Sequence, residues 1–397
     1  MYFLSDSERT RDILPFPRLG ANGGKQVFAA VQYLHLRILF SEFSGCLLFL
    51  MQKGDFMSLF TKRDVDSMTI AEQFVSKVEQ EARSNKIRVY APMILLVFMT
   101  IVFSIYDSHF FSMKNLINVL GQMAVPLILA TGLTFVLLLG RIDLSVEGVM
   151  GLVGSCISLL VLNSRNANDW GFLGVILPLL LGTLCGFITG FLHVKLKIAS
   201  FIITYAISTI VSGVAVLLYN SRPATVKAQW IIDASQTYFL KIPLITWIAI
   251  VFYLICAVIL NYTAFGRAVY AIGDNEAAAA ASGINVQKVV IEVFILSGFA
   301  ASLAGLVALI RLKLGQVSLG ENQMFPCITA LVVGGTSLSG GKGGMLQTMV
   351  GILIYMELLN FLTIIGVSAD YKNAIQGVII IIAVALTITR GRKVIAK

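Results

Sequence analysis

From residue 89 onward the chain is a succession of apolar runs, each near the roughly 20 residues a helix needs to cross the hydrocarbon core of a bilayer. They fall at about 89–106, 116–139, 146–162, 171–194, 199–219, 244–262, 289–310, 326–340, 345–365 and 372–389. The fold expected is all-α: a polytopic integral membrane protein of about ten transmembrane helices, broken near 140–146 and 334–344. Only 13% of the residues are charged, against roughly 25% in soluble domains. The mean hydropathy of +0.86 agrees. Bond-making chemistry in water is not the expected business of such a chain, and it is not expected to be an enzyme.

The formal net charge of +9 does not point to nucleic acid, because the basic residues sit in short clusters between apolar segments and in the terminal TRGRKVIAK. Such clusters mark cytoplasmic loops. With the N-terminus inside, an even number of spans returns the C-terminus inside. Lys195, Lys197, Arg267, Lys288, Arg390, Arg392 and Lys393 then fall inside; Arg222, Lys227, Lys241, Arg311, Lys313 and Lys372 fall outside and dilute the bias. The largest outer loop, about 220–243, carries Trp230 and Tyr238, with Trp247 just beyond, as interfacial anchors.

Residues 1–56 differ in composition, with Pro15, Pro17 and several glycines before the short apolar patch GCLLFLM. Two readings stand: a genuine disordered extension, or upstream sequence translated from an early start, with Met57 as the natural one. Residues 57–88 form a polar cytoplasmic lead-in in which Ile70, Phe74 and Val78 recur at amphipathic helical spacing. The membrane-spanning body covers 89–390, including a cytoplasmic loop at 263–288, and 391–397 is a cytoplasmic tail. The five cysteines and three histidines are scattered with no C-x-x-C, so no metal or cofactor is expected in the chain.

Three polar features interrupt the apolar pattern. VVGGTSLSGGKGGM, residues 332–345, resembles a phosphate-binding loop only superficially: Thr336 stands where the first glycine belongs, and Gly343 follows Lys342 where Ser or Thr is required. It reads as a tight turn that either packs the fold or lines a path through Gly334, Gly335 and Ser337. LGRIDLSVEG, residues 139–148, places Asp143 and Ser145 where they either cap the next helix or gate the path. Opposite charges at depth relieve one another, which makes Arg141 and Glu147 an expected pair. Glu357 lies one turn from Asn360 and faces the interior or a cavity, since lipid exposure would be expensive.

The largest inner loop contains GDNEAAAAASG, residues 273–283. Asp274 or Asn275 suits an N-cap, Glu276 a first turn and Gly283 a stop, while alanine is the best helix former. The result is one helix of about two turns, far below the roughly 12–15 residues at which isolated helices become marginal. Its slim sides suit a groove on a partner.

FGRAVYAIGDNEAAAAASGI, IDLSV and VVGGTSLSGGKGG together resemble, in order, motifs of the bacterial ABC sugar permeases of the ribose and xylose type. The resemblance implies a permease subunit that pairs with itself or a similar subunit. A cytoplasmic ATPase, which binds ATP and Mg, would grip the loop through Gly266, Arg267, Gly273, Asn275, Glu276, Ser282 and Gly283. An extracytoplasmic binding protein would deliver a monosaccharide or small polyol across the cytoplasmic membrane. Arg141, Glu147 and Asp274 stand where that family usually has glycine, Ala280 and Ala281 replace a frequent Arg-Leu pair, and 321–330 is altered beside the expected path. A branched-chain amino acid permease and a stand-alone proton-coupled transporter using Glu357 or Asp143 are the alternatives.

Overall fold

The computed structural model describes residues 90–368 apart from 108, and 371–381 apart from 373 and 380. The expectations for 1–88, for the end of the last apolar run and for the tail lie outside the described residues.

Helices account for almost every apolar run. They are α1 (Tyr90–Tyr106), α2 (Met113–Leu138), α3 (Ser145–Leu160), α4 (Leu173–Leu196), α5 (Ser200–Tyr219), α6 (Gln229–Gln236), α7 (Leu244–Tyr262), α8 (Ala264–Asp274), α9 (Glu276–Ala281), α10 (Val286–Leu312), α11 (Met324–Val333) and α12 (Met345–Ile364). Further helical turns lie between 371 and 381. Among the described residues six helices, α2, α4, α5, α7, α10 and α12, are long and apolar enough to cross a membrane, and α1 and α3 are shorter apolar helices. The protein is thus an all-α, multi-pass membrane protein. Against the all-α expectation stand, among the described residues, two pairs of two-residue strands: β1 (Ala224–Thr225) pairs antiparallel with β4 (Leu314–Gly315), and β2 (Tyr238–Phe239) with β3 (Ile242–Pro243).

The core is built around α2 and α10. Side chains of α2 from Ala124 to Leu138 are almost all enclosed, and α10 packs against α2, α3 and α4. The α4–α10 contact is a backbone-to-backbone approach. A Cβ on Gly186 would lie 2.3 Å from the Phe294 carbonyl, and one on Gly298 would lie 2.7 Å from the Gly182 carbonyl. Gly182, Gly186 and Gly190 recur every fourth residue, the spacing that lets membrane helices meet without side chains between them. In lipid, where the hydrophobic effect does not drive helices together, such close van der Waals contact is a main source of association.

A smaller aromatic cluster holds α1 to α12: the rings of Phe103 and Phe361 stack with centroids 4.0 Å apart, and Phe110 meets Phe103 edge-on. The outward faces of α4, α5 and α7 expose Leu180, Phe201, Ile210 and Leu254, as a lipid-facing surface should.

Candidate functional site

The three motifs, at 139–148, 265–284 and 332–345 in sequence, meet at one end of the helix bundle. The loop expected to hold one short helix holds two. Thr263 caps α8 by accepting the Gly266 N–H at 3.3 Å. Asn275 then breaks the chain and caps α9, its side chain accepting the Ala278 N–H at 3.0 Å. Ser282 donates back to the Ala278 carbonyl at 2.9 Å, and Gly283 ends the helix with φ of +85°. FGRAVYAIG is helical because Phe265, Val269 and Ile272 recur on one face; Phe265 stacks near Phe135, and Val269 and Ile272 are buried.

Gly273 is the point of closest approach. A Cβ there would lie 1.8 Å from the Leu138 carbonyl and 2.7 Å from the Gly341 nitrogen. That carbonyl also accepts the Gly341 N–H at 2.9 Å. Tyr270 of α8 donates to the Gly343 carbonyl at 3.0 Å, and Tyr253 of α7 donates to the Met345 carbonyl at 3.0 Å. The glycine-rich segment 334–344 is therefore a packing surface for α8 and for the end of α2, held by backbone hydrogen bonds.

Arg141 adds a side-chain strut. Its Nη2 donates to Glu276 Oε2 at 3.2 Å, and its Nε donates to His193 Nε2 at 2.9 Å. His193 Nδ1 lies 2.7 Å from the Ile198 carbonyl, so the neutral ring carries its proton on Nδ1. The Arg141 side chain is 14% exposed and that of Glu276 58%. Burial pulls the Arg141 pKa down, and the neighbouring Glu276 carboxylate opposes that.

This geometry corrects the expected Arg141–Glu147 pair. Arg141 lies in the turn before α3 and reaches α9, whereas Glu147 lies in the first turn of α3 and points to α11. There Glu147 Oε1 accepts the N–H groups of Gln323 and Met324 at 3.0 and 2.9 Å. A carboxylate from another helix thus satisfies two of the free donors at the start of α11.

Of the residues considered for a path, Asp143 and Ser145 are wholly enclosed. Asp143 Oδ1 accepts both the N–H and the hydroxyl of Ser145, at 2.8 and 2.6 Å, and Oδ2 accepts the Ser297 hydroxyl at 2.6 Å. The carboxylate so binds the start of α3 to the middle of α10. Gly334 packs against the Gln347 carbonyl, Gly335 adopts φ of +105°, and Ser337 accepts the Ser339 N–H at 3.2 Å. Glu357 accepts the Thr100 hydroxyl at 2.8 and 3.0 Å, and Asn360 is buried with its Nδ2 unpartnered among the described residues. The structure does not bring Glu357 and Asn360 to the cluster around Gly273. Arg267 is exposed on α8, as are Ala277, Ala278, Ala280 and Ala281 on α9, while Ala279 is buried.

A multi-pass helical protein whose polar motifs are spent on backbone packing and on presenting one short helix is built as a transport permease. Comparison with known proteins gives the family. Residues 115–384 match the family described as branched-chain amino acid transport system / permease component. The chain is similar to the ribose import permease protein RbsC of Haemophilus influenzae, 37% identical over 73% of this chain and 90% of that one. It is 36% identical to RbsC of Bacillus subtilis over 74% and 91% of the two chains, and 34% identical to the fructose import permease protein FrcC of Rhizobium meliloti over 74% and 84%. No solved structure matches. The chain belongs to this permease family and is a transport component, not an enzyme.

Proposed function

We propose that the chain is the membrane-spanning subunit of an ATP-driven sugar importer, with about ten spans and both termini in the cytoplasm. The observation that carries this is the α8–α9 unit. Its inner face is fixed to the bundle through Gly273, Tyr270 and Arg141, while its outer face presents four exposed alanines. A helix of 6 residues is not stable by itself, so its orientation is inherited from these contacts. A cytoplasmic ATPase, which binds ATP and Mg, grips α9 and the exposed Arg267. Movement of the ATPase passes through Gly273 and the Arg141–Glu276 contact into α2 and segment 334–344.

That is coupling through an element both partners bias. Asp143 and Ser145 move with α3, Gly334, Gly335 and Ser337 with the glycine-rich segment, and Glu357 and Asn360 with α12. We further propose a second permease subunit alongside and an extracytoplasmic binding protein that delivers the solute. The names of the relatives, ribose, fructose and L-arabinose permeases, favour a monosaccharide over an amino acid.

The test is co-purification from native membranes. Tagged permease should bring down an ATP-hydrolysing partner, and Ala278→Arg, which adds bulk only to the outer face of α9, should lose it while the permease itself elutes unchanged. Retention of the ATPase by that variant would refute the docking assignment.

A further inference from the structure

At the end of the bundle opposite α8 and α9 lies a cavity of about 350 Å³ between α2, α3, α10, α11, α12 and the helical turns after residue 374. That is the size of a small-ligand pocket, roughly 300–1,000 Å³. It opens beside Arg311 and Asn322, both exposed, and its buried wall is Met150, Cys327 and Met356.

The lining is rich in polar side chains. Four amides face it, Gln122, Asn322, Gln323 and Gln376, together with the Tyr355 phenol and the Arg311 guanidinium. Gln376 donates to the Tyr355 oxygen at 2.6 Å. The side chains of Gln122, Asn322, Gln323 and Arg311 have no hydrogen-bond partner among the described residues. Gln122 and Gln323 are half-buried, where polar groups are costly unless something satisfies them. Among the described residues no carboxylate lines the cavity. Glu147 stands behind it, occupied with the N–H groups of Gln323 and Met324, and thereby holds Gln323 and the start of α11 in place.

We propose that this cavity is the point at which the permease itself reads its solute, and that it takes an uncharged polyhydroxylated molecule. The proposal rests on the importer reading above and gives it a site. A sugar hydroxyl both donates and accepts. An amide offers both functions on one side chain, and a guanidinium offers a fork of donors to adjacent hydroxyls. An amino acid would need an anion for its ammonium group, and the described lining residues include none. Asn322, Gln323, Pro326 and Cys327 of the 321–330 stretch contribute one wall of the cavity.

The experiment is site-specific labelling of the purified full-length permease with its five native cysteines changed to alanine. Leu359, a half-buried lining residue outside the polar set, is changed to cysteine, and its rate of reaction with a maleimide is followed in D-ribose, D-fructose, L-arabinose, L-leucine and sodium gluconate. At least one sugar should slow labelling, and leucine and gluconate should not. Adding Arg311→Leu or Gln122→Leu should raise the half-protecting concentration, roughly tenfold or more for the charged donor. Absence of protection by all three sugars, protection by leucine or gluconate, or protection unchanged by both added substitutions overturns the proposal. If ATP-dependent sugar uptake is intact while protection is absent, the cavity assignment fails alone. Uptake of leucine in place of sugar would remove the importer reading as well.

Discussion

Replacing Gly273 by alanine tests the packing of the motif cluster with the smallest possible change. The added methyl would lie 1.8 Å from the Leu138 carbonyl and 2.7 Å from the Gly341 nitrogen, and both are backbone atoms that cannot swing aside. Ordinary contact demands that α8 retreat by more than an ångström. Overpacking of a tight contact costs about 1–3 kcal/mol. Retreat also strains the Tyr270 hydroxyl bond from α8 to the Gly343 carbonyl at 3.0 Å, whose loss adds about 1 kcal/mol. The expected destabilisation is about 2–4 kcal/mol.

Gly283→Ala provides the comparison. Nothing lies within 4 Å of its Cβ position, so only the positive φ of +85° opposes a side chain. That conformational penalty is about 1–2 kcal/mol and is local to the end of α9. Thermal unfolding of the two purified variants should show Gly273→Ala the less stable, and its displaced α8 should weaken ATPase retention. Gly273→Ala melting with the wild type and keeping its ATPase would refute the argument, because the three motifs would then not be packed backbone against backbone.

Three further outcomes follow from the same contacts. Arg141→Glu should weaken ATPase retention, and the double change Arg141→Glu with Glu276→Arg should recover part of it. A double-mutant cycle should give about 0.5–1 kcal/mol, kept small by the solvent around Glu276. Glu147→Gln replaces a charged acceptor of two N–H groups by a neutral one and should cost about 1–2 kcal/mol of stability by thermal unfolding, with α11 the first region to gain hydrogen exchange. Ser297→Ala leaves Asp143 Oδ2 without its hydroxyl in a fully enclosed place and should cost about 1–3 kcal/mol in the same assay.

Local chemistry was legible where its signal was local. The apolar runs located the helices, and Asn275 and Gly283 bounded α9 where short-range capping rules put them. The helical character of residues 264–274 was missed although Phe265, Val269 and Ile272 carry the spacing. Contacts between distant segments left little trace. The pairing of Arg141 with Glu147 rested on opposite charges relieving one another at depth, but a turn and a helix start send those two side chains to different partners. Glu276 is far along the chain, and no periodicity links it to Arg141. The glycine-rich segment was recognisable as a break, while its use as a bearing surface for Gly273 depends on where three separate segments arrive. The every-fourth-residue glycines of α4 were the one legible sign of a tertiary contact that the sequence reading passed over.

The central claim is that ATP hydrolysis drives sugar across the membrane through this chain. Its most direct measurement is uptake of radiolabelled ribose, fructose and arabinose by cells carrying the intact importer, with the ATPase gene deleted in one arm and a proton uncoupler, at constant cellular ATP, in the other. The account predicts that uptake of one of these sugars vanishes without the ATPase and survives the uncoupler. Uptake that persists without the ATPase and collapses with the proton gradient would contradict it.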